Sequence, residues 1–388
     1  MTDIAAPAAG AQPGPDHQLP ELFILSPEQR DFASTLKGYL EQRYGHEELR
    51  LALDEDEAAT RSRWQRLGSD LALPAALVPA DQDGLGFGAI EAMVIAQELG
   101  RALHRGPWLG SCVLAGTALT TAGGPAAAGL LAAIASGHAT ACLADDELMS
   151  KRDGADAPAA EATADGTHVI RGRARFVLDG AAADHVLVVA QDADGGSLYQ
   201  ADRSGVGVTA LETLDLTRPM ATLEFDAVAA TRIGPAGAGP AVRAAVDLMA
   251  GLAAAAESLG GMERCLDMAT EYAKVRIQYG RIIGSYQAVK HKLADLLVLV
   301  EITRTAVLHA AWLVAAADPD AALAVHAAQA QASASYVRVT ADNIQVHGGI
   351  GFTFDHDAHL YFRRAKSMQE LFGSPDFHRD RIADLVGI

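Results

Sequence analysis

The residue pattern changes period twice along this chain, and that change limits the fold more than any single motif. From Ser26 to about Gly137 apolar residues recur at helical spacing. "SPEQRDFASTLKGYLEQRY" opens with Ser26 as the expected N-cap, Pro27 at the first helical position and Glu28 after it. "AIEAMVIAQELGRAL" predicts a helix ending at Gly100, and Ala-rich helices are expected around 111–121 and 125–136. The texture then turns to short runs rich in Val, Leu and Phe: "THVIRGRARFVLDG", "HVLVVAQDADGGSLYQADR", "GVTALETL" and "ATLEFDAVAATRIG". "ADGG" within them reads as a hairpin turn. "GPAGAGP" (234–240) reads as a hinge, and helical spacing then returns over about 241–275, 285–316, 320–347 and 357–371.

The expected class is therefore α+β multidomain. A disordered tail (1–21) precedes an N-terminal helical domain (22–137), a middle antiparallel β-domain (138–233) and a C-terminal helical bundle (241–388). Strands and helices are segregated rather than alternating, which argues against a parallel sheet. No G-x-G-x-x-G follows a strand, which argues against a dinucleotide-binding Rossmann domain.

Half of the 388 residues are hydrophobic, enough for a substantial core. The net charge of -18 argues against nucleic acid or an anionic membrane as partner, but leaves room for a local basic patch. Cys112, Cys142 and Cys265 are far apart and form neither a metal-ligand pair nor a disulfide framework, so a reducing cytoplasm is the default. No run of eighteen apolar residues occurs, so no membrane span is expected. "MTDIAAPAAGAQPGPDHQLP" lacks the basic and apolar regions of a secretory signal.

Two segments carry candidate chemistry. In "YAKVRIQYGRIIGSYQAVKHKLADLL" (272–297) a helix is expected to end near Tyr279-Gly280 and another to start at Ser285. Arg276, Gln278 and Gln287 gather around that turn, and a guanidinium with amides beside a helix N-terminus suits a phosphate or pyrophosphate. The alternative is that Arg276 pairs with a carboxylate and Gln287 caps a helix. In "DNIQVHGGIGFTFDHDAHLYFRRAK" (342–366) the adjacent Gly348 and Gly349 end a helix and let a ligand approach the backbone. His356 and His359, with Asp355 and Asp357, raise a metal site, but no H-E-x-x-H or Cys/His set supports one, and none is expected. Arg363 and Arg364 are expected in salt bridges. No Ser-His-Asp or Cys-His arrangement can be read from spacing.

Together these segments resemble the acyl-CoA dehydrogenase family. "R-x-Q-Y-G-x-x-I-x-x-Y-Q-x-x-x-H-x-L-A-D" from Arg276 to Asp295 is similar to the family's R-x-x-F-G…F-Q…LAD signature. "Q-V-H-G-G-I-G-F" from Gln345 is similar to its Q-x-x-G-G-x-G-[FY] signature. "LPAALVPADQDGLGFGAIEAMVIAQELGRAL" and "LDLTRP" extend the resemblance to residues 22–388. It implies a helical domain, a β-barrel-like domain and a four-helix bundle, assembled as homo- or hetero-oligomers. It also implies FAD, an acyl-CoA substrate, α,β-desaturation, and electron-transfer flavoprotein as a candidate partner. Carried over, Arg276, Gln287, Gln345, Gly348 and Gly349 would hold the ADP half of a neighbouring subunit's flavin; Gln278 and Tyr279, the latter where the family usually has Phe, are cofactor-binding candidates beside them.

The sequence departs from the family in three places. Where the family ends in an aromatic residue, Glu-Gly-Thr and a further acid, this chain reads "LFGSPD". Phe372 takes the place of the catalytic glutamate, Ser374 that of the threonine, and Asp376 that of the second acid, which keeps these two as cofactor-binding candidates. The family's alternative base position on the first bundle helix is Ala250. Glu257, two helical turns further on nearly the same face, is the replacement candidate for the base, or else a structural carboxylate paired with arginine. Third, "LADDELMSKRDG" (143–154) and "FVLDG" from Phe176 keep little of the family's flavin-ring motifs, with Leu178 in place of a hydroxyl. Two functions follow: an FAD-dependent acyl-CoA dehydrogenase with a relocated base, or a non-catalytic partner subunit that completes another chain's FAD site.

Overall fold

Ser26 caps the first helix as its sequence requires. Its Oγ accepts the Gln29 N–H (3.2 Å), and the Gln29 side chain accepts the Ser26 N–H (2.9 Å), a reciprocal capping box. The structure, a computed structural model, describes residues 24–150, 156–164 and 167–388. The expected tail at 1–21 and part of the segment 143–154 lie outside the described residues.

The N-terminal helices are α1 (Pro27–Arg43), α2 (His46–Asp54), α3 (Glu57–Leu71), α4 (Ala89–Arg101), a π-helical stretch Trp108–Ala115, α5 (Gly116–Ala122) and α6 (Gly124–Ala135). The middle segment holds β1 (Ala141–Ala144), α7 (Asp146–Ser150), β2 (Ala159–Ala162), β3 (His168–Leu178), β4 (His185–Ala190), β5 (Ser197–Ala201), β6 (Gly207–Ala210) and β7 (Met220–Ile233). After it come α8 (Gly239–Val275), a hairpin of β8 (Ile277–Gln278) and β9 (Arg281–Ile282), α9 (Gln287–Ala315), α10 (Ala321–His347), α11 (Ala358–Met368) and α12 (Pro375–Val386).

The sheet order is β1-β4-β5-β7-β3-β2, with β6 also on β7. The expectation of a purely antiparallel β-domain is corrected at one edge, where β1 runs parallel to β4. β7 is the organising strand, pairing antiparallel with β3, β5 and β6. Ala221, Leu223 and Phe225 alternate into the core, and the phase slips at Ala227 (φ 54°) before Val228 and Ala230 resume it.

α8 is the spine of the molecule, packing against α4, α9 and α10. Its contact with α4 is backbone to backbone. A Cβ on Gly100 would lie 2.1 Å from the Glu257 carbonyl oxygen, and one on Gly260 would lie 1.8 Å from that of Gln97. Only glycine admits this crossing, and it fixes Glu257 at the junction of the helical layers. By length and composition α8 and α9 could each cross a membrane. Of the most apolar stretch of α8, 56% is buried in the chain, against 28% for that of α9.

Two sequence expectations are corrected here. The helix expected to end near Tyr279-Gly280 ends at Val275, because Tyr279 (φ 50°) and Gly280 (φ 78°) form a tight hairpin turn. A helix outside the expected set also starts at Ser374-Pro375: Ser374 Oγ accepts the Phe377 N–H at the head of α12. The three cysteines are free and buried.

Candidate active site

Glu257 is 7% exposed and lies against two guanidinium groups. Arg218, in the loop before β7, and Arg364, on α11, both bind its Oε1. Arg364 Nε also lies 2.7 Å from Asp215 Oδ2 and donates to Thr217 Oγ1 at 3.0 Å. Asp215 Oδ1 accepts the Thr217 N–H at 3.0 Å. The result is a buried quartet of two arginines and two carboxylates that ties the β-domain loop to α8 and α11.

Burial alone would push the Glu257 carboxyl up. The charges of Arg218 and Arg364 more than offset that, and hold it below the ordinary glutamate range. A general base needs a pKa near the working pH, and the two arginines, both on Oε1, hold the Glu257 carboxyl below even its ordinary range. This pairing with two arginines is the arrangement of the other role considered for it, a structural carboxylate. The space beside the quartet, lined by His104, Trp108 and Asp179 among others, is a cavity of about 20 Å³. That holds one water, not an acyl chain.

The two positions where the family places a base are inert. Ala250 is fully buried, and Phe372 is 2% exposed with φ 62°. Gly373 (φ 119°) follows, its N–H donated to the Glu370 carbonyl at 3.2 Å. A larger cavity, about 580 Å³, opens beside this turn. Phe176, Leu211, Glu212 and Met220 line it from the β-domain, and Lys366, Glu370 and Leu371 from the bundle. Leu178 is buried in the core and offers no hydroxyl there.

The phosphate-binding candidates gather at one end of the bundle. Arg276 is exposed, caps α8 by its backbone, and makes no ion pair among the described residues. Gln278 pairs with Arg281 across the β8–β9 hairpin, whose tip carries Tyr279 at 95% exposure. Gln287 is the exposed first residue of α9, and that N-terminus has no side-chain cap. The Tyr272 and His347 rings stack at 4.5 Å, which joins the end of α8 to the end of α10. Gln345 is exposed there, Gly348 has φ 64°, and a Cβ on Gly348 or Gly349 would meet nothing within 4 Å. The two glycines thus face open space, so a close approach has to come from outside the chain. The alternatives of a paired Arg276 and a capping Gln287 are not what the structure shows.

Ser374 and Asp376 sit apart from this arrangement. Ser374 Oγ serves the α12 cap, and Asp376 pairs with Arg379 at 2.6 Å. No group of three or more potential metal ligands occurs among the described residues. Asp357 is held instead by His46 (2.6 Å) and Arg50 (3.0 Å). Sequence reasoning missed the quartet partners Asp215 and Arg218. "LDLTRP" was legible only as a resemblance, since nothing in local spacing links residue 218 to 257 or 364.

A family model described as acyl-CoA dehydrogenase, C-terminal domain, matches residues 248–387. Acyl-CoA dehydrogenase IpdE2 of Mycobacterium tuberculosis is 34% identical over 355 residues, covering 91% of this chain and 95% of its own. Acyl-CoA dehydrogenase FadE27 of the same organism is 32% identical, covering 81% and 84%. Among solved structures, the ChsE4–ChsE5 complex of M. tuberculosis aligns with a TM-score of 0.85 at 29% identity, over 94% of this chain and 98% of the other. The Tcur3481–Tcur3483 steroid ACAD aligns with a TM-score of 0.82 at 27% identity, over 93% and 98%.

Proposed function

The chain belongs to the acyl-CoA dehydrogenase family of FAD-dependent oxidoreductases, and on that premise we propose that it serves their reaction as the non-catalytic subunit of a heteromeric enzyme. The observation that carries this reading is the absence of a free carboxylate at the base positions. Phe372 and Ala250 are buried and inert, and Glu257 is immobilised between Arg218 and Arg364.

The bundle end supports the other half of the reading. The flavin, when bound, supplies the hydride acceptor for α,β-desaturation. Arg276 and the uncapped N-terminus of α9 offer positive charge to a pyrophosphate. Gln278, Gln287 and Gln345 offer amide donors, and Gly348 and Gly349 leave the backbone open to close approach. These residues fit the ADP half of a flavin seated mainly in another chain. The surface nearby is apolar as well as charged: Ile277 (60%), Phe352 (79%), Leu297 (49%), Val298 (55%) and Ile302 (51%) are exposed. Such a patch marks a protein interface, and the ChsE4–ChsE5 and Tcur3481–Tcur3483 structures are complexes of two named chains. A bulky, steroid-like acyl-CoA is the first substrate class to test, after the second of these.

The test is spectroscopic. Purified alone, the chain is expected to be colourless. Co-expressed with a second acyl-CoA dehydrogenase chain, it is expected to yield a yellow complex that an acyl-CoA bleaches. Stoichiometric flavin on the lone chain, bleached by substrate, would overturn the reading.

One observation favours the rival reading of a self-sufficient enzyme: Glu212 and Glu370 line the 580 Å³ cavity. Glu370→Gln and Glu212→Gln are expected to leave turnover of the complex within about two-fold, because a lost general base costs roughly 10²–10⁴-fold. A loss of that size in either variant would give this chain its own base.

A further inference from the structure

The β8–β9 hairpin sorts its side chains onto two faces. Gln278 lies opposite Arg281, and Ile277 opposite Ile282. The ladder extends one step further: the Ile283 N–H donates to the Arg276 carbonyl at 2.8 Å, and Arg276 is itself extended (φ -71°, ψ 125°). Side chains alternate along a strand. Arg276, Gln278 and Arg281 therefore share one face, with Ile277 and Ile282 on the other.

Arg281 is held on that face. Its guanidinium carbon lies 3.9 Å from the centroid of the Tyr286 ring, within cation–π range. Tyr286 in turn donates its hydroxyl to the Gln278 carbonyl at 3.1 Å, which ties the ring to the opposite strand. Such a contact occupies one face of the planar group and leaves its edge N–H groups to donate elsewhere. The chain carries 49 acidic residues against 31 lysines and arginines. Exposed arginines elsewhere find a carboxylate, as Arg379 does with Asp376 and Arg381 with Asp384. Arg276 and Arg281 are both exposed, and neither makes an ion pair among the described residues. Two like charges on so short a hairpin repel each other, so this face favours a bound anion.

We propose that Arg281 is a second cation for the flavin's diphosphate, beside Arg276, with Tyr286 holding its guanidinium in place. The inference rests on the proposed seating of the ADP half at this end of the bundle, and adds a residue that the resemblance does not carry over. A diphosphate spreads its negative charge over two adjacent phosphoryl groups, which two guanidinium groups on one face match better than one. Gln278, on the same face, supplies a neutral donor.

The test uses the complex with a catalytic partner chain, stripped of flavin and titrated with FAD at several salt concentrations, with the dissociation constant read by absorbance. Arg281→Ala is expected to weaken FAD about 10-fold, the low end for a charge-assisted contact. Its affinity is also expected to depend less on salt, because one screened charge has gone. Arg281→Lys, which keeps the charge, is expected to keep the salt dependence and to lie within about three-fold of the parent. A purely structural role would lower affinity and leave the salt dependence as it was. That result, or Arg281→Ala binding FAD like the parent while Arg276→Ala does not, would overturn the assignment of Arg281 alone. Parent affinity in both alanine variants would sink the seating on which it rests.

Discussion

Glu257→Gln is expected to melt on the order of 4–6 °C below the parent chain, because it leaves two buried guanidinium groups with one compensating charge removed. Breaking a buried ion pair from one side typically costs about 3–5 kcal/mol, most of it the penalty of the charge left behind. The pH dependence gives a second signature. The native carboxyl is held below its ordinary range, so its contribution is present above the unfolded glutamate value and is lost as the pH falls through the depressed one. Parent and variant should therefore converge in strong acid and differ most near neutrality. Scanning calorimetry across pH checks both. A variant that keeps its midpoint but no longer supports bleaching of the flavin would return Glu257 to the role of base.

Arg276→Ala is expected to act on the cofactor and not on the fold. Its side chain is exposed and makes no ion pair among the described residues, so the thermal midpoint of the isolated chain should not move measurably. In the complex with a catalytic partner the same change should weaken flavin binding about 10–100-fold, the worth of roughly 1.5–3 kcal/mol for a charge-assisted contact. Reconstitution of the stripped complex with FAD, followed by absorbance, measures it. Unchanged affinity would remove this end of the bundle from the cofactor site. Loss of complex assembly without loss of flavin affinity would make Arg276 an interface residue instead.

How much of this was legible in the sequence differs from element to element. The segregation of helices from strands was, because period and turn residues are local signals and α8, α9 and α10 follow them closely. The hairpin tip was hidden by Tyr279, since a two-residue turn with positive φ at both positions is usually announced by Asn-Gly, not Tyr-Gly. α12 was overlooked although "SPD" at 374–376 repeats the capping grammar of "SPE" at 26–28. Arg276, Gln278, Tyr279 and Gln287 were legible as a cluster because the turn between α8 and α9 brings them together, whereas Ser374 and Asp376 lie apart from it. The quartet was not. It joins Asp215 and Arg218 to Glu257 and Arg364 across three elements, and a long-range ion pair leaves no period in a sequence.

The exposed apolar face of α9 and the hairpin has a consequence outside enzymology. A chain that presents Ile277, Val298, Ile302 and Phe352 to water offers the kind of surface that chaperones hold and proteases sample. If a catalytic partner covers that face, an unpaired copy is the one removed first. The cellular amount of this protein would then be set less by its own synthesis than by the supply of its partner.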